Sequence, residues 1–379
     1  MSEIQGASGN PDAVPADGTP LLTVGNAFSI AGLMLIVVLA LIFGSGILVP
    51  LAVALLFWFF LNALARMYER LWRNRFGPLR PLSLTLAFLT LLAASLIVTD
   101  IIVVNVGEIS SRTEDFEKSL NILVDKVAEL TGVSNDEVVN TALSHLSIDQ
   151  LLSALLSGLT GLASNIGVVF LFVIFLLVEQ RYFGAKLRAV VPGDARRRRI
   201  EAILERIGHD VQSYLWTMFV VSMMTAVLSY GVMVLVGLDS PAFWAFLIFV
   251  LNFIPTIGSI LATGIPALYS LLQFGEFGPF VILLVTIGII QFVIGNIIQP
   301  RMAAQTLNLS QFVVVLSLFV WGAIWGVGGL FLAVPLTAVA MIICANFPQT
   351  RPLAILMSEA GTAEPVDSAS PSPSSDAGK

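Results

Sequence analysis

One long stretch of the chain is almost free of charge. Within residues 211–347 the only charged side chains are Asp239, Glu276 and Arg301. The whole chain of 379 residues is 57% hydrophobic and 12% charged, with a mean hydropathy of +0.91. A soluble domain of this size cannot bury so much apolar surface. The composition therefore predicts an all-α, polytopic helical membrane protein.

The charge-poor stretch contains a segment that a regular transmembrane helix tolerates poorly. Residues 252–267 read NFIPTIGSILATGIPA and include two prolines and two glycines: Pro255, Gly258, Gly264 and Pro266. Proline removes a backbone donor, and glycine weakens a helix. Unpaired backbone groups cost roughly several kcal/mol each in hydrocarbon, so a break there requires surrounding protein or a water-filled cavity. Such breaks are typical of transport sites; the alternative is a tight turn between helices at the membrane surface.

The apolar runs that flank this break are short. Residues 241–254 and 259–274 fall below the about 20 residues of a spanning helix, which predicts a re-entrant hairpin or a discontinuous span. Residues 312–325 and 330–346 repeat the arrangement around a second set of glycines and a proline: Gly326, Gly328, Gly329 and Pro335. The segments IGSILATGIPA and VGGLFLAVPLTA align with a one-residue gap. An internal repeat and a chance similarity between apolar segments both explain that match.

The distribution of basic residues predicts the topology. Arginines cluster in the loop after residue 65 and again in the run 196–199, and cytoplasmic loops are enriched in Lys and Arg. Residues 105–160 are acidic, with apolar residues at helical spacing. We expect a disordered cytoplasmic leader (1–22), three transmembrane helices (23–104), a small extracytoplasmic helical subdomain (105–160), a fourth transmembrane helix (161–178), a cytoplasmic amphipathic segment (179–210), a transport core with the broken hairpins (211–347) and a disordered cytoplasmic tail (348–379).

Several function classes are excluded by the residues that the chain lacks. Cys344 is the single cysteine, and the two histidines, His145 and His209, lie in polar segments. The sequence contains no HExxH zinc helix, no GxSxG elbow and no P-loop. We therefore predict a protein that is not an enzyme, that needs no metal or other cofactor and that does not hydrolyse ATP. The short basic loops beside the membrane do not indicate nucleic-acid binding.

Three blocks of the charge-poor half resemble a known family. NFIPTIGSILATGIPAL (252–268), QFVIGNIIQPRMAAQTLNLS (291–310) and WGAIWGVGGLFLAVPLTAV (321–339) are similar, in order and spacing, to the autoinducer-2 exporter-like permeases of the AI-2E family. The resemblance implies about eight spanning segments with re-entrant character. It also implies export of a small polar signal or, as in other members, ion exchange. Homo-oligomeric assembly, for example as a pentamer, is implied as well.

The chain departs from the family pattern at three places. Many members have Met-Gly after the Pro-Arg pair, where this chain has Met302, Ala303 and Ala304. Met218 stands where many members have a lysine, four residues after Tyr214. Gln299 replaces an acidic residue common before the Pro-Arg pair. The last two differences each remove a titratable group, which weakens the case for proton or sodium coupling at those positions.

Polar residues in the core are the candidates for a substrate pathway. Asn252 precedes the break, where its amide either holds freed backbone groups or faces the substrate. Asn296 and Gln299 share one helix face, and Arg301 is expected near an interface or a polar cavity because its charge is costly in hydrocarbon. The predicted pathway and gate residues are Asn252, Pro255, Thr256, Gly258, Ser259, Gln291, Asn296, Gln299, Pro300 and Arg301. The predicted hairpin-break residues are Gly264, Pro266, Gly326, Gly328, Gly329 and Pro335.

The function predicted from these features is transport. We expect a multi-pass permease or exporter of the cell (inner) membrane that moves a small polar solute, such as an autoinducer-2-like signal, without ATP hydrolysis. Both termini are expected to be cytoplasmic. Its expected partners are the lipid bilayer, the solute and further copies of the chain. A sodium- or proton-coupled antiporter is one alternative, and a non-transporting membrane scaffold is another.

Overall fold

The regular structure of the chain is helical throughout its described part. The computed structural model describes residues 24–76, 80–111, 157–158, 160–161, 164–302, 307–359 and 361–362. Within them lie α1 (Val24–Phe43), α2 (Ser45–Phe76), α3 (Arg80–Ser111), α4 (Ile166–Val190), α5 (Asp194–Val236), α6 (Pro241–Leu251), α7 (Ile257–Phe274), α8 (Phe277–Met302), α9 (Gln311–Ala345) and α10 (Arg351–Met357). The predicted leader, most of the predicted extracytoplasmic subdomain and the end of the predicted tail lie outside the described residues.

Most of these helices are long and apolar enough to cross a membrane. Among the residues whose side chains are described, seven segments qualify: Ser45–Leu71, Arg80–Asn105, Ile166–Val190, Asp194–Val236, Ile257–Phe274, Phe277–Met302 and Gln311–Ala345. Helix α6 is apolar but has only 11 residues. The prediction of an all-helical membrane architecture is therefore confirmed. Helix α1 belongs to one compact unit and the helices from α2 onward form a second, which contains all the sites described below.

The basic segment 179–210 is not a helix of its own. Its first part is the end of α4, and its second part opens α5, which runs without interruption for 43 residues. Gly193 makes the turn between them with a positive φ of 87°. A change from charged to apolar side chains does not end a helix, because it leaves the backbone hydrogen bonds of the helix intact. The helical spacing of Ile203 and Ile207 continues directly into the apolar part of α5.

Helix α2 organises one half of the second unit. It packs against α3, α4 and α5, and its buried Ala54, Leu61 and Ala65 share a core with Val169 and Val173 of α4. Alanines on this face let the backbones approach closely, which is how helices associate in a membrane. Arg66 donates to Gln212 Oε1, which ties the end of α2 to α5.

The other half is built around α6 and α7. Phe243 and Trp244 of α6 are fully buried, and they share a core with Leu283 and Ile287 of α8 and with parts of α3, α5 and α9. Helices α6 and α7 pack against each other as well as against their neighbours. Phe253 and Ile254 of the break between them are buried, whereas Thr256 is exposed. Surrounding protein allows a broken backbone to be tolerated in a membrane.

Candidate functional site

The first break occupies residues 252–256, between α6 and α7. Thr256 has φ 61° and ψ −60°, a left-handed conformation that reverses the chain. The turn pairs much of its own backbone: Ile254 N donates to Leu251 O at 2.9 Å, Ile257 N to Pro255 O at 2.6 Å and Gly258 N to Ile254 O at 3.0 Å. Pro255 has no backbone N–H to satisfy. The break therefore carries few unpaired backbone donors despite its position.

Gly258 lets α7 begin directly against the end of α6. A β-carbon on Gly258 would lie 1.8 Å from the carbonyl oxygen of Leu251 and 3.2 Å from the β-carbon of Ile254. The first number is far below any real contact. Only a residue without a side chain fits here, so the predicted role of Gly258 in the break has a steric basis.

The second break lies at Gly326, inside α9, where φ is 60° and ψ is −138°. A β-carbon on Gly329 would lie 1.9 Å from the carbonyl oxygen of Trp321. Residues eight apart in a straight α-helix are separated by about 12 Å along the axis. The chain therefore folds back on itself at Gly326. The indole Nε1 of Trp321 donates to Thr337 Oγ1 at 3.1 Å, which links the two arms.

Both breaks thus share two features of backbone geometry. One residue with positive φ reverses the chain, and a glycine two or three residues later packs on a carbonyl oxygen of the preceding arm. The predicted similarity of the two breaks holds at the level of this backbone geometry.

Five of the residues predicted to break the hairpins are instead helical. Gly264 and Pro266 lie inside α7, and Gly328, Gly329 and Pro335 lie inside the second arm of α9. The reason is that proline has a helix-compatible φ and removes only one backbone donor, while glycine in a helix costs only about 1 kcal/mol. Neither reverses a chain without a positive φ. Of these six predicted break residues, Gly326 alone has that conformation.

A hydrogen bond between two amides lies at the first break. Gln291 Nε2 of α8 donates to Asn252 Oδ1 at 2.9 Å. The Nδ2 of Asn252 is buried and has no hydrogen-bond partner. The side-chain oxygen of Asn252 therefore accepts a hydrogen bond from a neighbouring helix and not from the freed backbone groups of the break. Its unpaired donor is a group that a polar solute or a water molecule would satisfy.

A buried polar face on α5 lies outside the set of residues predicted from the sequence. Ser222, Thr225 and Ser229 are fully buried, and the Oγ atoms of Ser222 and Ser229 have no partner. The hydroxyl of Tyr214 on the same helix is also buried without a partner. Helix α5 packs against α6, α8 and the π-helical part of α8. The three- and four-residue spacing of small hydroxyl residues in an apolar run was the available signal.

The end of α8 carries the other predicted pathway residues. Residues Ile294–Ile298 form a π-helical turn just before Gln299 and Pro300. Such turns are rare and are frequent at functional sites. Asn296 donates from Nδ2 to its own helix, at Phe292 O over 3.0 Å. Asn296, Pro300 and Arg301 are exposed, and Gln299 is half-buried.

The predicted pathway residues therefore separate into two sets. The structure brings Asn252 and Gln291 into contact. Pro255, Thr256, Gly258 and Ser259 form the turn beside them, and the Ser259 hydroxyl donates to Thr256 O at 2.9 Å. Within the described part of the chain, Asn296 and Arg301 form no hydrogen bond or ion pair with this turn, and both side chains lie on the surface of α8.

Comparison with known proteins identifies the family. The model of the AI-2E family transporter matches residues 31–349. The chain is 29% identical over 328 residues to "Putative transport protein YhhT" of Escherichia coli (strain K12), covering 85% of this chain and 91% of that one. It is 28% identical over 333 residues to "AI-2 transport protein TqsA" of the same organism, covering 86% and 94%. A Haemophilus influenzae transport protein is 32% identical over 270 residues, covering 67% and 77%. The chain belongs to the AI-2E family of transporters.

Proposed function

We propose that this transporter is a permease or exporter that carries a small, polar, uncharged solute through the region between its two hairpins. The observation that carries the proposal is the buried, unpartnered Nδ2 of Asn252 beside its bond with Gln291. The unpaired hydroxyls of Ser222 and Ser229 add neutral hydrogen-bonding groups in the same half of the unit. Unpaired buried polar groups are costly, and a hydroxylated solute would offset that cost.

The charge distribution supports an uncharged solute. Within residues 211–347, Asp239 is half-buried at the turn before α6, while Glu276 and Arg301 are exposed. Asn252, Gln291, Ser222 and Ser229 are neutral, so they offer no compensating charge to a desolvated ion. This favours a permease over a sodium- or proton-coupled antiporter. Transport driven by an ATPase site of its own is not proposed, because the sequence has no phosphate-binding loop.

The solute of one relative is a candidate to test. TqsA is named an AI-2 transport protein, and we propose an autoinducer-2-like molecule among the solutes of this chain. The test is solute flux in vesicles that contain the purified protein, measured with and without a pH or sodium gradient. Flux of a neutral solute that is independent of both gradients is expected. Flux that requires either gradient would support the antiporter instead.

The residues of the proposed path are tested by matched amide substitutions. Asn252→Leu should reduce neutral-solute flux roughly tenfold, because it removes a buried donor and leaves Gln291 unpaired. Gln311→Leu replaces an exposed amide at the start of α9 and should leave the flux unchanged. Equal flux in the two variants would count against the proposed path.

We also propose that the end of α8 contributes to the gate. Asn296 lies within the π-helical turn, and Arg301 follows Pro300 just after it. A π-helical turn provides a place where a helix can rearrange. Arg301→Ala and Asn296→Ala should therefore each lower flux at normal expression. Full transport by both variants would refute this part of the proposal.

Orientation and assembly are proposed as follows. The basic ends of α2, α4 and α5 lie together, since Arg66 contacts Gln212, and Arg199 of α5 donates to Asn346 O at 3.1 Å near the end of α9. We assign this end to the cytoplasm by its excess of arginine, and we propose that both termini are cytoplasmic. We propose a homo-oligomer, such as a pentamer, in the cell membrane. Accessibility labelling and the mass of the purified complex test the two assignments.

A further inference from the structure

A row of six aromatic rings crosses the second unit and ends between the two hairpins. Ring centroids are separated by 4.8 Å for Phe60 and Phe219, 5.7 Å for Phe219 and Phe249, 5.4 Å for Phe249 and Phe253, and 4.9 Å for Phe253 and Phe331. Trp216 stacks beside Phe219 at 5.9 Å. The row thus runs from α2 through α5 and α6 to the first break and then to the second arm of α9.

The contact between Phe253 and Phe331 is where the two hairpins meet in this row. Phe253 belongs to the first break and is only 8% exposed. Phe331 lies five residues after the chain reversal at Gly326 and packs against a core formed by α2 and α5. Separating the two hairpins at this point would therefore break this ring contact.

Two contacts of different kinds, made by adjacent residues, join the first break to neighbouring helices. Asn252 bonds to Gln291 of α8, whereas Phe253 contacts Phe331 of α9. The ring contact therefore lies next to the polar groups that we propose as binding groups for the solute. In a transport path, apolar constrictions exclude water and polar solutes until their side chains separate.

We propose that Phe253 and Phe331 form an aromatic gate, which closes the solute path between the hairpins beside Asn252 and opens it when the rings separate. The proposal rests on the proposed function and adds the position and chemistry of the barrier. The gate is closed in this structure, with its rings in contact at 4.9 Å.

The test measures leak of radiolabelled erythritol, a small uncharged polyol, down its gradient from vesicles that contain the full-length protein. Phe253→Ala and Phe331→Ala should each raise the rate per folded protein, roughly two- to tenfold, the factor that loss of one aromatic pair produces. Phe88→Ala is the matched control. It removes a ring contact of 5.4 Å with Phe170 in the α2, α3 and α4 core, away from both breaks. Where an alanine variant is not monodisperse, Phe331→Leu keeps an apolar side chain and removes the ring.

A second experiment holds the proposed gate closed with a cross-link. Cys344 is the one cysteine, so Cys344→Ser provides a cysteine-free background for Phe253→Cys with Phe331→Cys. A short bis-methanethiosulfonate, which joins two cysteines through disulfides and releases methanesulfinate, should stop erythritol flux in this variant, and a reductant that cleaves the disulfides should restore it. The same treatment of Phe88→Cys with Phe170→Cys should leave flux unchanged, which a general effect of cross-linking would not do.

The outcomes separate the gate from the proposed function. Wild-type flux with no difference between the Phe331 and Phe88 variants would overturn the gate alone. Leak through Phe331→Ala with no wild-type flux under any condition would support the gate and overturn the proposed permease function. Absence of flux in every protein would overturn both.

Discussion

Gly258 and Leu251 lie closer than any residue with a side chain would permit. A β-carbon on Gly258 would stand 1.8 Å from the Leu251 carbonyl oxygen. That oxygen accepts from Ile254 N inside the turn and cannot withdraw without breaking the turn. The tight fold of the first hairpin therefore requires glycine at position 258. The position of Asn252 within the hairpin depends on the same glycine.

Gly258→Ala should destabilise the protein by at least about 3 kcal/mol, the upper range for overpacking, because the atom it meets is backbone. Gly264→Ala is the control, since a β-carbon there meets nothing within 4 Å inside the same helix. It should be neutral or stabilise by up to about 1 kcal/mol. Thermal unfolding of the two detergent-purified variants measures the difference, and similar melting temperatures would contradict the hairpin geometry.

Thr256 and Gly326, the residues with positive φ at the two breaks, should respond in opposite directions to substitution. Gly326→Ala places a side chain at φ 60° and ψ −138° and should cost about 1–3 kcal/mol. Thr256→Gly removes a β-branched side chain from φ 61° and should stabilise the fold by roughly 1 kcal/mol. Gly278→Ala has no neighbour within 4 Å and no positive φ, so it serves as the neutral control. Thermal unfolding reports all three, and destabilisation by Thr256→Gly would show that the turn needs its side chain.

Gln291→Leu should destabilise the core by about 1–3 kcal/mol, because Asn252 then has both ends of its amide unsatisfied. Gln311→Leu changes an exposed amide to the same side chain and should leave the melting temperature unchanged. Replacing Asn252 and Gln291 together by leucine should recover part of the loss, since no partner is then left unpaired. A double variant that is as unstable as the sum of the single variants would contradict a direct contact.

The hydrogen bond between Trp321 and Thr337 should couple the two arms of α9. A double-mutant cycle with Trp321→Phe and Thr337→Val should give a coupling energy of about 1 kcal/mol in thermal unfolding. Trp244→Phe with Thr337→Val is the control cycle, because Trp244 donates to Asp239 O at a different place. Additive effects in the first cycle would mean that the bond does not hold the hairpin.

Much of the fold follows from local properties of the sequence. The apolar runs predicted the helices, and the interrupted segments predicted breaks after residue 251 and near residue 326. The individual break residues do not follow from the sequence, because proline and glycine are compatible with a helix whenever φ stays negative. Pro266 and Pro335, for example, lie inside helices. The change from charged to apolar residues at Val211 predicts a boundary, yet α5 continues through Arg199 and Val211.

The sequence by itself determined the membrane class, the family and the two places where a helix cannot run straight, because length, hydropathy and backbone restrictions act locally. The tertiary structure alone decided which groups meet. Asn252 and Gln291 are 39 residues apart in the chain, and Phe253 contacts Phe331 in the other hairpin. Such pairings depend on how whole helices pack, since each side chain has many apolar neighbours with which it could pair. The packing of α5, α8 and α9 around the first break is what turns an interrupted helix into a candidate path with a barrier.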